Sequence, residues 1–168
     1  VIGAGCTAFT TPESLLYPLA VGCLGIPCSL VGISLVGAKT ESEVEGSLKK
    51  MLLISTVLMA IASYFLTIHL LPPEFTIGEQ KITATGVYLS FASGLVSGFL
   101  IGYITEIYTS HAWGPVREVA KASTTGTATN IIYGLALGYN SAVLPSILIG
   151  LTLIIAVSKA GMYGIALS

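Results

Sequence analysis

Few residues in this chain have side chains that could do chemistry, and they are sparsely placed. Glu106 is the one carboxylate contiguous with a long apolar run; Thr105 precedes it, and Tyr108, Thr109 and Ser110 follow. An acid at membrane depth is costly and often functional. Two roles are open for Glu106 with Thr105 and Tyr108: a structural bond across a helix joint or to Arg117 or Lys121, or a part in ion coupling. All eight acidic residues are Glu, and the chain has no Asp. Magnesium–phosphate chemistry leans on chelating carboxylates, so these residues are poorly equipped for it.

The other polar candidates have plainer readings. His69 precedes Pro72-Pro73 at the end of an apolar run, where an interfacial anchor is expected rather than a proton relay. Trp113 reads as an interface anchor for the same reason. Ser123-Thr124-Thr125-Gly126-Thr127 is rich in hydroxyls but lacks the spaced glycines and the Lys of a phosphate-binding loop. Hydroxyl contacts to neighbouring helices are the expectation there. Cys6, Cys23 and Cys28 lie in apolar sequence. Cys23 and Cys28 fall about 140° apart around a helix, so neither a disulfide framework nor a zinc site is indicated. No Ser/His/Asp set, paired catalytic carboxylates or His/Cys cluster is present.

One pattern concerns packing. Ser90, Gly94, Gly98 and Gly102 recur every fourth residue and fall on one face of a helix. Small residues at this spacing let a neighbouring backbone approach closely, which is how membrane helices pack. A glycine seam lining a pore is the alternative.

The elements that position these residues follow from composition. Of 168 residues, 54% are apolar and only 9% charged, with a net charge of −1; an ordinary soluble domain carries roughly 25% charged residues. Disorder and a nucleic-acid-binding surface are excluded, and a lipid bilayer is the implied surrounding. A membrane span needs about 20 mainly apolar residues. Three runs qualify directly: 15–38, 51–71 and 82–105. Pro18 and Pro27 lie in the first, with a kink expected near Pro27. The uncharged run after Lys121 is too long for one span; it divides near Tyr139-Asn140-Ser141 and leaves a fourth span over 142–160. Residues 115–138 are expected to form a helix lying on the cytoplasmic-side membrane surface or dipping into the bundle, with Pro115 in its first turn. Residues 1–8 read as the end of a preceding span. The start at Val1 and the end at Gly164-Ile165-Ala166-Leu167-Ser168 read as cuts from something longer.

Basic residues in short loops set orientation. Lys39, Lys49, Lys50, Arg117 and Lys121 stand on one side, against Lys81 and Lys159 on the other. The loops 39–50 and 106–123 are therefore expected in the cytoplasm. The fold class is an all-α membrane protein: a bundle of four transmembrane helices plus a surface helix.

Several of these stretches resemble one family. Gly102-Tyr103-Ile104-Thr105-Glu106-Ile107-Tyr108-Thr109-Ser110, then Pro115-Val116, then 125–138 from Thr125-Gly126-Thr127 to Ala136-Leu137-Gly138, are similar to the membrane-integral inorganic pyrophosphatases. Gly161-Met162-Tyr163-Gly164-Ile165-Ala166, Leu16-Tyr17-Pro18-Leu19 and the lysine pair ahead of Ile54-Ser55-Thr56 resemble the same family, its plant-like vacuolar-type members included. The 72–84 loop is the least distinctive part.

The resemblance implies a homodimeric pump of about sixteen helices per subunit in two rings. Such a pump hydrolyses magnesium pyrophosphate on the cytoplasmic side and drives protons or sodium across the membrane. Its Mg2+ ligands are mostly Asp on inner-ring helices; some members also need K+. This chain resembles the end of the sixth helix and helices seven to ten, outer-ring elements of which the tenth is associated with the dimer contact. The metal and substrate ligands are then expected elsewhere in the parent protein, and these residues alone are expected to be inactive. The membrane, vacuolar-type or plasma, is left open by the residues. The competing reading is a self-contained four-helix membrane scaffold or small transporter without pyrophosphatase activity.

Overall fold

The computed structural model describes residues 12–35, 37, 41–77 and 80–168. The expected tail of a preceding span at 1–8, with Cys6, and also Lys39 lie outside the described residues. Among the described residues, five helices and one hairpin follow in the order α1 (Pro12–Leu35), α2 (Glu41–Leu70), β1 (Glu74–Ile77), β2 (Gln80–Thr83), α3 (Ala84–Thr109), α4 (Gly114–Ala122) and α5 (Thr127–Leu167). Among the described residues, four helical segments are long and apolar enough to cross a membrane. The helices outrun the hydrophobic runs: α2 starts ten residues before Met51, because backbone hydrogen bonding continues where lipid contact ends. α1 remains helical through Pro18 and Pro27, which membrane helices tolerate when neighbours satisfy the freed carbonyls.

The chain forms two compact units. The first comprises residues up to Val96 together with Thr152–Ser168. Here α1 and α2 make an antiparallel pair. At one end a Cβ on Gly32 would stand 3.4 Å from the Ser55 Cβ. At the other, the Tyr17 hydroxyl meets Thr67 Oγ1 at 2.8 Å. The core of this unit gathers Tyr17, Val21, Leu71, Ile82, Val87, Ala160 and Tyr163. They come from the first half of α1, the residue after α2, the β2 strand, the start of α3 and the end of α5. Buried hydroxyls are satisfied locally, as a membrane interior demands: Ser63 Oγ donates to Ala60 O at 3.0 Å, and Ser90 Oγ to Gly86 O at 2.9 Å. The Tyr64 and Tyr88 rings meet edge to face, 5.2 Å between centroids.

The β1–β2 hairpin occupies the 72–84 stretch expected as loop. Its antiparallel register pairs Glu74 with Thr83 and Ile77 with Gln80. Ile82 is buried in the core, and the Ala84 amide donates to Pro73 O at 3.2 Å, closing the hairpin base.

The second unit is Ser97–Leu151. Trp113, in extended conformation, precedes α4, and Pro115 sits in its first turn, where a missing amide hydrogen costs little. The structure differs here from the helix expected over 115–138. α4 ends at Ala122, and residues 127–138 are the first part of α5. The chain turns at Gly126, whose φ of 143° is open to glycine. It does not break at Tyr139-Asn140-Ser141, where α5 runs on and Ser141 Oγ donates to Gly138 O at 2.7 Å.

α5 has its own interruption in the first unit. Ala160 (φ −139°, ψ 15°) and Gly161 (φ 57°, ψ −144°) leave helical geometry, and Gly161 takes a conformation that residues with a Cβ avoid. The break redirects the chain. A Cβ on Gly164 would lie 2.6 Å from Ala156 O, whereas in a straight helix eight residues span about 12 Å. Residues 162–167 therefore fold back as the second arm of a tight helical hairpin.

Candidate functional site

Of the polar group at the end of α3, Tyr108 meets residues of α4 and α5 inside the second unit. Glu106 is half-buried, Thr105 exposed and Tyr108 half-buried. The loop after them is tied down: the Ser110 amide donates to Glu106 O at 2.8 Å, and the Ala112 amide to Ser110 Oγ at 3.2 Å. Arg117 Nε donates to His111 O at 2.9 Å, so this guanidinium secures the turn into α4.

Tyr108 lines a groove of about 410 Å³ with Pro115, Glu118, Tyr133 and Asn140. A second groove of about 420 Å³ shares Glu118 and Tyr133 and adds Lys121, Thr125 and Thr129. Along the two grooves the α4 residues advance from Pro115 to Lys121 while the α5 residues go back from Asn140 to Thr129, an antiparallel order. Sequence reasoning missed Glu118, Tyr133 and Asn140 as neighbours of Tyr108. The signal lay in the α4 spacing of Pro115, Glu118 and Ala122, but only the turn at Gly126 decides which face they meet.

The hydroxyl run 123–125 caps α4. Ser123 Oγ donates to Ala120 O at 2.6 Å, Thr124 Oγ1 to Lys121 O and Thr125 Oγ1 to Ala122 O, each at 2.7 Å. The hydroxyl contacts expected with neighbouring helices are thus made, at these three positions, to the last turn of their own helix, where the Lys121 and Ala122 carbonyls also accept the Thr124 and Thr125 amides at 3.1 Å.

The small-residue stripe on α3 is met in part. A Cβ on Gly94 would overlap the Ser168 backbone, and one on Gly164 would come within 2.9 Å of Ser90 Oγ. One turn earlier, a Cβ on Gly86 would stand 2.6 Å from Lys159 O. Gly98 has nothing within 4 Å of such a Cβ, and both Gly98 and Gly102 are exposed. His69 and Cys23 are exposed, Cys28 and Trp113 half-buried, and both cysteines are free thiols.

Among the described residues, no three His, Cys, Asp or Glu side chains come together to hold a metal ion. A magnesium ion that carries a phosphate needs at least one or two carboxylates directed at it. The donor set of the described residues does not fit that group.

Long apolar helices with locally satisfied hydroxyls, joined by short polar turns, make this an all-α, multi-pass integral membrane protein. Residues 1–168 match the sequence profile of the inorganic H+ pyrophosphatases over their whole length, and the chain belongs to that family. It is 32% identical over 179 residues to a K(+)-insensitive pyrophosphate-energized proton pump of Caldanaerobacter subterraneus subsp. tengcongensis, covering 100% of this chain and 25% of the relative. A pump of the same description in Methanosarcina mazei is 33% identical over 167 residues, 95% of this chain and 23% of the relative. A putative K(+)-stimulated pyrophosphate-energized sodium pump of Clostridium tetani is 30% identical over 172 residues, 98% of this chain and 24% of its own length. The chain spans about a quarter of the length of the curated relatives it matches.

Proposed function

We propose that this chain is part of a pump that couples hydrolysis of magnesium pyrophosphate to proton or sodium transport. The observation that carries this reading is the match to the pyrophosphatase family over every residue of the chain. Relatives named as proton pumps and as a sodium pump both align across nearly all of it.

Within that pump the role of this chain is support. It has no Asp, and no described side-chain cluster suits a metal, so Mg2+ and pyrophosphate are held by other segments. The small-residue face at Ser90, Gly94, Gly98 and Gly102 packs helices. Glu106, with Thr105 and Tyr108, forms a polar joint where α3 gives way to α4. The basic residues Lys49, Lys50, Arg117 and Lys121 place the α1–α2 and α3–α4 connections in the cytoplasm. The intact pump is a homodimer, with outer helices of this chain near the subunit contact. The test is to purify the intact protein into sealed vesicles and add pyrophosphate with and without Mg2+. Phosphate release that depends on Mg2+ and is accompanied by ion uptake supports the reading; absence of hydrolysis rejects it.

A further inference from the structure

We infer that the cleft between the end of α1 and the start of α2 is a seat for one anionic phospholipid of the cytoplasmic leaflet. The cleft lies inside the first unit, encloses about 540 Å³ and is lined by Leu35, Ser47, Lys49, Lys50, Leu53 and Ile54. Its shape follows from the packing beneath it. One turn below Leu35 the two helices close up: a Cβ on Gly32 would stand 3.4 Å from Ser55 Cβ and 3.6 Å from Met51 Cγ. Above, α1 ends, and Gly37 contributes no side chain, with nothing within 4 Å of where its Cβ would stand. The pair is thus tight at the base and open at the rim.

Three observations choose the occupant. The first is depth. The apolar spans run over Leu16–Leu35 and Gly46–Leu70, so the cleft stands where both reach the headgroup layer. On the topology proposed above this end faces the cytoplasm, and the cytoplasmic leaflet is the one that carries anionic lipid. The second is charge at that depth. Lys49 is half-buried and Lys50 exposed, and both precede the apolar run that starts at Met51. A lysine so placed lays its stem on apolar surface and keeps its ammonium at phosphate level. The acids at this end of α2 come earlier, at Glu41, Glu43 and Glu45. Their backbone stands about 6–12 Å farther out along the helix than that of Lys49. The third is the order of surfaces. Ser47, Lys50 and then Leu53 with Ile54 follow one another down one helical face, so hydroxyl, ammonium and hydrocarbon succeed each other from rim to base. Leu35 and Leu53 are 66% and 51% exposed. A phosphodiester with acyl chains beneath it matches that order, whereas free phosphate has no use for the apolar wall. A choline headgroup brings its own cation and gains less from two lysines.

The experiment uses the intact protein in phosphatidylcholine vesicles with a trace of photoactivatable lipid, its diazirine near the top of one acyl chain. The probe is phosphatidylglycerol or, with identical chains, phosphatidylcholine, and peptide mapping locates the adducts. Each lysine near an anionic surface favours it about fivefold, so labelling of residues 35–54 by the phosphatidylglycerol probe is expected to exceed that by phosphatidylcholine about fivefold or more. Lys49→Gln with Lys50→Gln is expected to remove the excess, and Lys49→Arg with Lys50→Arg to keep it. Equal labelling by the two probes in the wild type overturns the inference without recourse to any variant. So does an excess that survives in the glutamine variant, absence of labelling by either probe (a cleft covered by protein), or suppression by free phosphate or pyrophosphate (a soluble anion's site). Pyrophosphate hydrolysis by the same vesicles is read separately. Selective labelling without hydrolysis rejects the pump and keeps the lipid seat; hydrolysis without selective labelling does the reverse.

Discussion

The bond between Tyr17 and Thr67 gives a prediction whose sign and size both follow from proton placement. Thr67 has a single hydroxyl proton, and it goes to Ser63 O at 2.6 Å. The Tyr17 hydroxyl, 2.8 Å away, must therefore be the donor to Thr67 Oγ1. Tyr17 is fully buried and Thr67 3% exposed, so water offers neither group a substitute partner. Tyr17→Phe removes the donor and leaves Thr67 bonded to Ser63 O; the cost is that of one interhelical bond, on average about 0.6 kcal/mol in a membrane bundle. Thr67→Val keeps the shape but strands the Tyr17 hydroxyl in the core, and a buried donor left unsatisfied costs about 1–3 kcal/mol. In the Tyr17→Phe background no hydroxyl is stranded, and Thr67→Val is expected to cost far less. The assay is reversible denaturant unfolding of the intact protein in mixed micelles, run as a double-mutant cycle. Equal costs of Thr67→Val in the wild-type and Tyr17→Phe backgrounds would refute the proton assignment, as would a Tyr17→Phe effect larger than that of Thr67→Val.

Three other outcomes are expected. Gly164→Ala and Gly86→Ala drive a methyl group against the backbone carbonyls of Ala156 and Lys159 and should each destabilise by about 1–3 kcal/mol. Gly134→Ala and Gly138→Ala, which meet nothing within 4 Å, should leave the thermal midpoint unchanged or raise it slightly; a uniform response across all four would contradict the packing described. Gly161→Ala should cost about 1–3 kcal/mol through its positive φ alone, detectable as faster proteolysis near the break. Glu106→Gln in the intact protein should leave the ratio of ions transported to pyrophosphate hydrolysed unchanged, as befits a structural joint. A fall in that ratio with hydrolysis preserved would assign Glu106 to coupling.

The membrane-crossing parts of this fold were legible because hydropathy measures what lipid selects. Leu16–Leu35 and Gly46–Leu70 stand out from their uncharged length alone. Helix ends were less legible. Residues 41–50 carry acids and lysines yet continue α2, since the helix needs only backbone bonds and tolerable side chains there. Asn140-Ser141 looked like a break, but the serine hydroxyl finds a carbonyl three residues back. The hairpin at 74–83 is short, and its alternation of Phe75, Ile77 and Ile82 around Gly78-Glu79 is too brief to outweigh a loop of polar residues and prolines. Gly161 is one glycine among many in an apolar run, and its positive φ is set by what the chain must do after it. The four-residue spacing from Ser90 to Gly102 was plain in sequence. Which half of that face is covered depends on the direction of residues 162–168, which no local pattern encodes.

The central claim is that these helices form the wall of a pyrophosphate-energised pump whose metal-binding residues lie elsewhere in the protein. The most direct measurement is ion uptake and phosphate release recorded together from sealed vesicles that hold the intact protein. Uptake of protons or sodium that starts on addition of pyrophosphate, requires Mg2+ and stops when pyrophosphate is consumed is the predicted result. Vesicles that hold folded protein and neither release phosphate nor accumulate either ion would contradict the account.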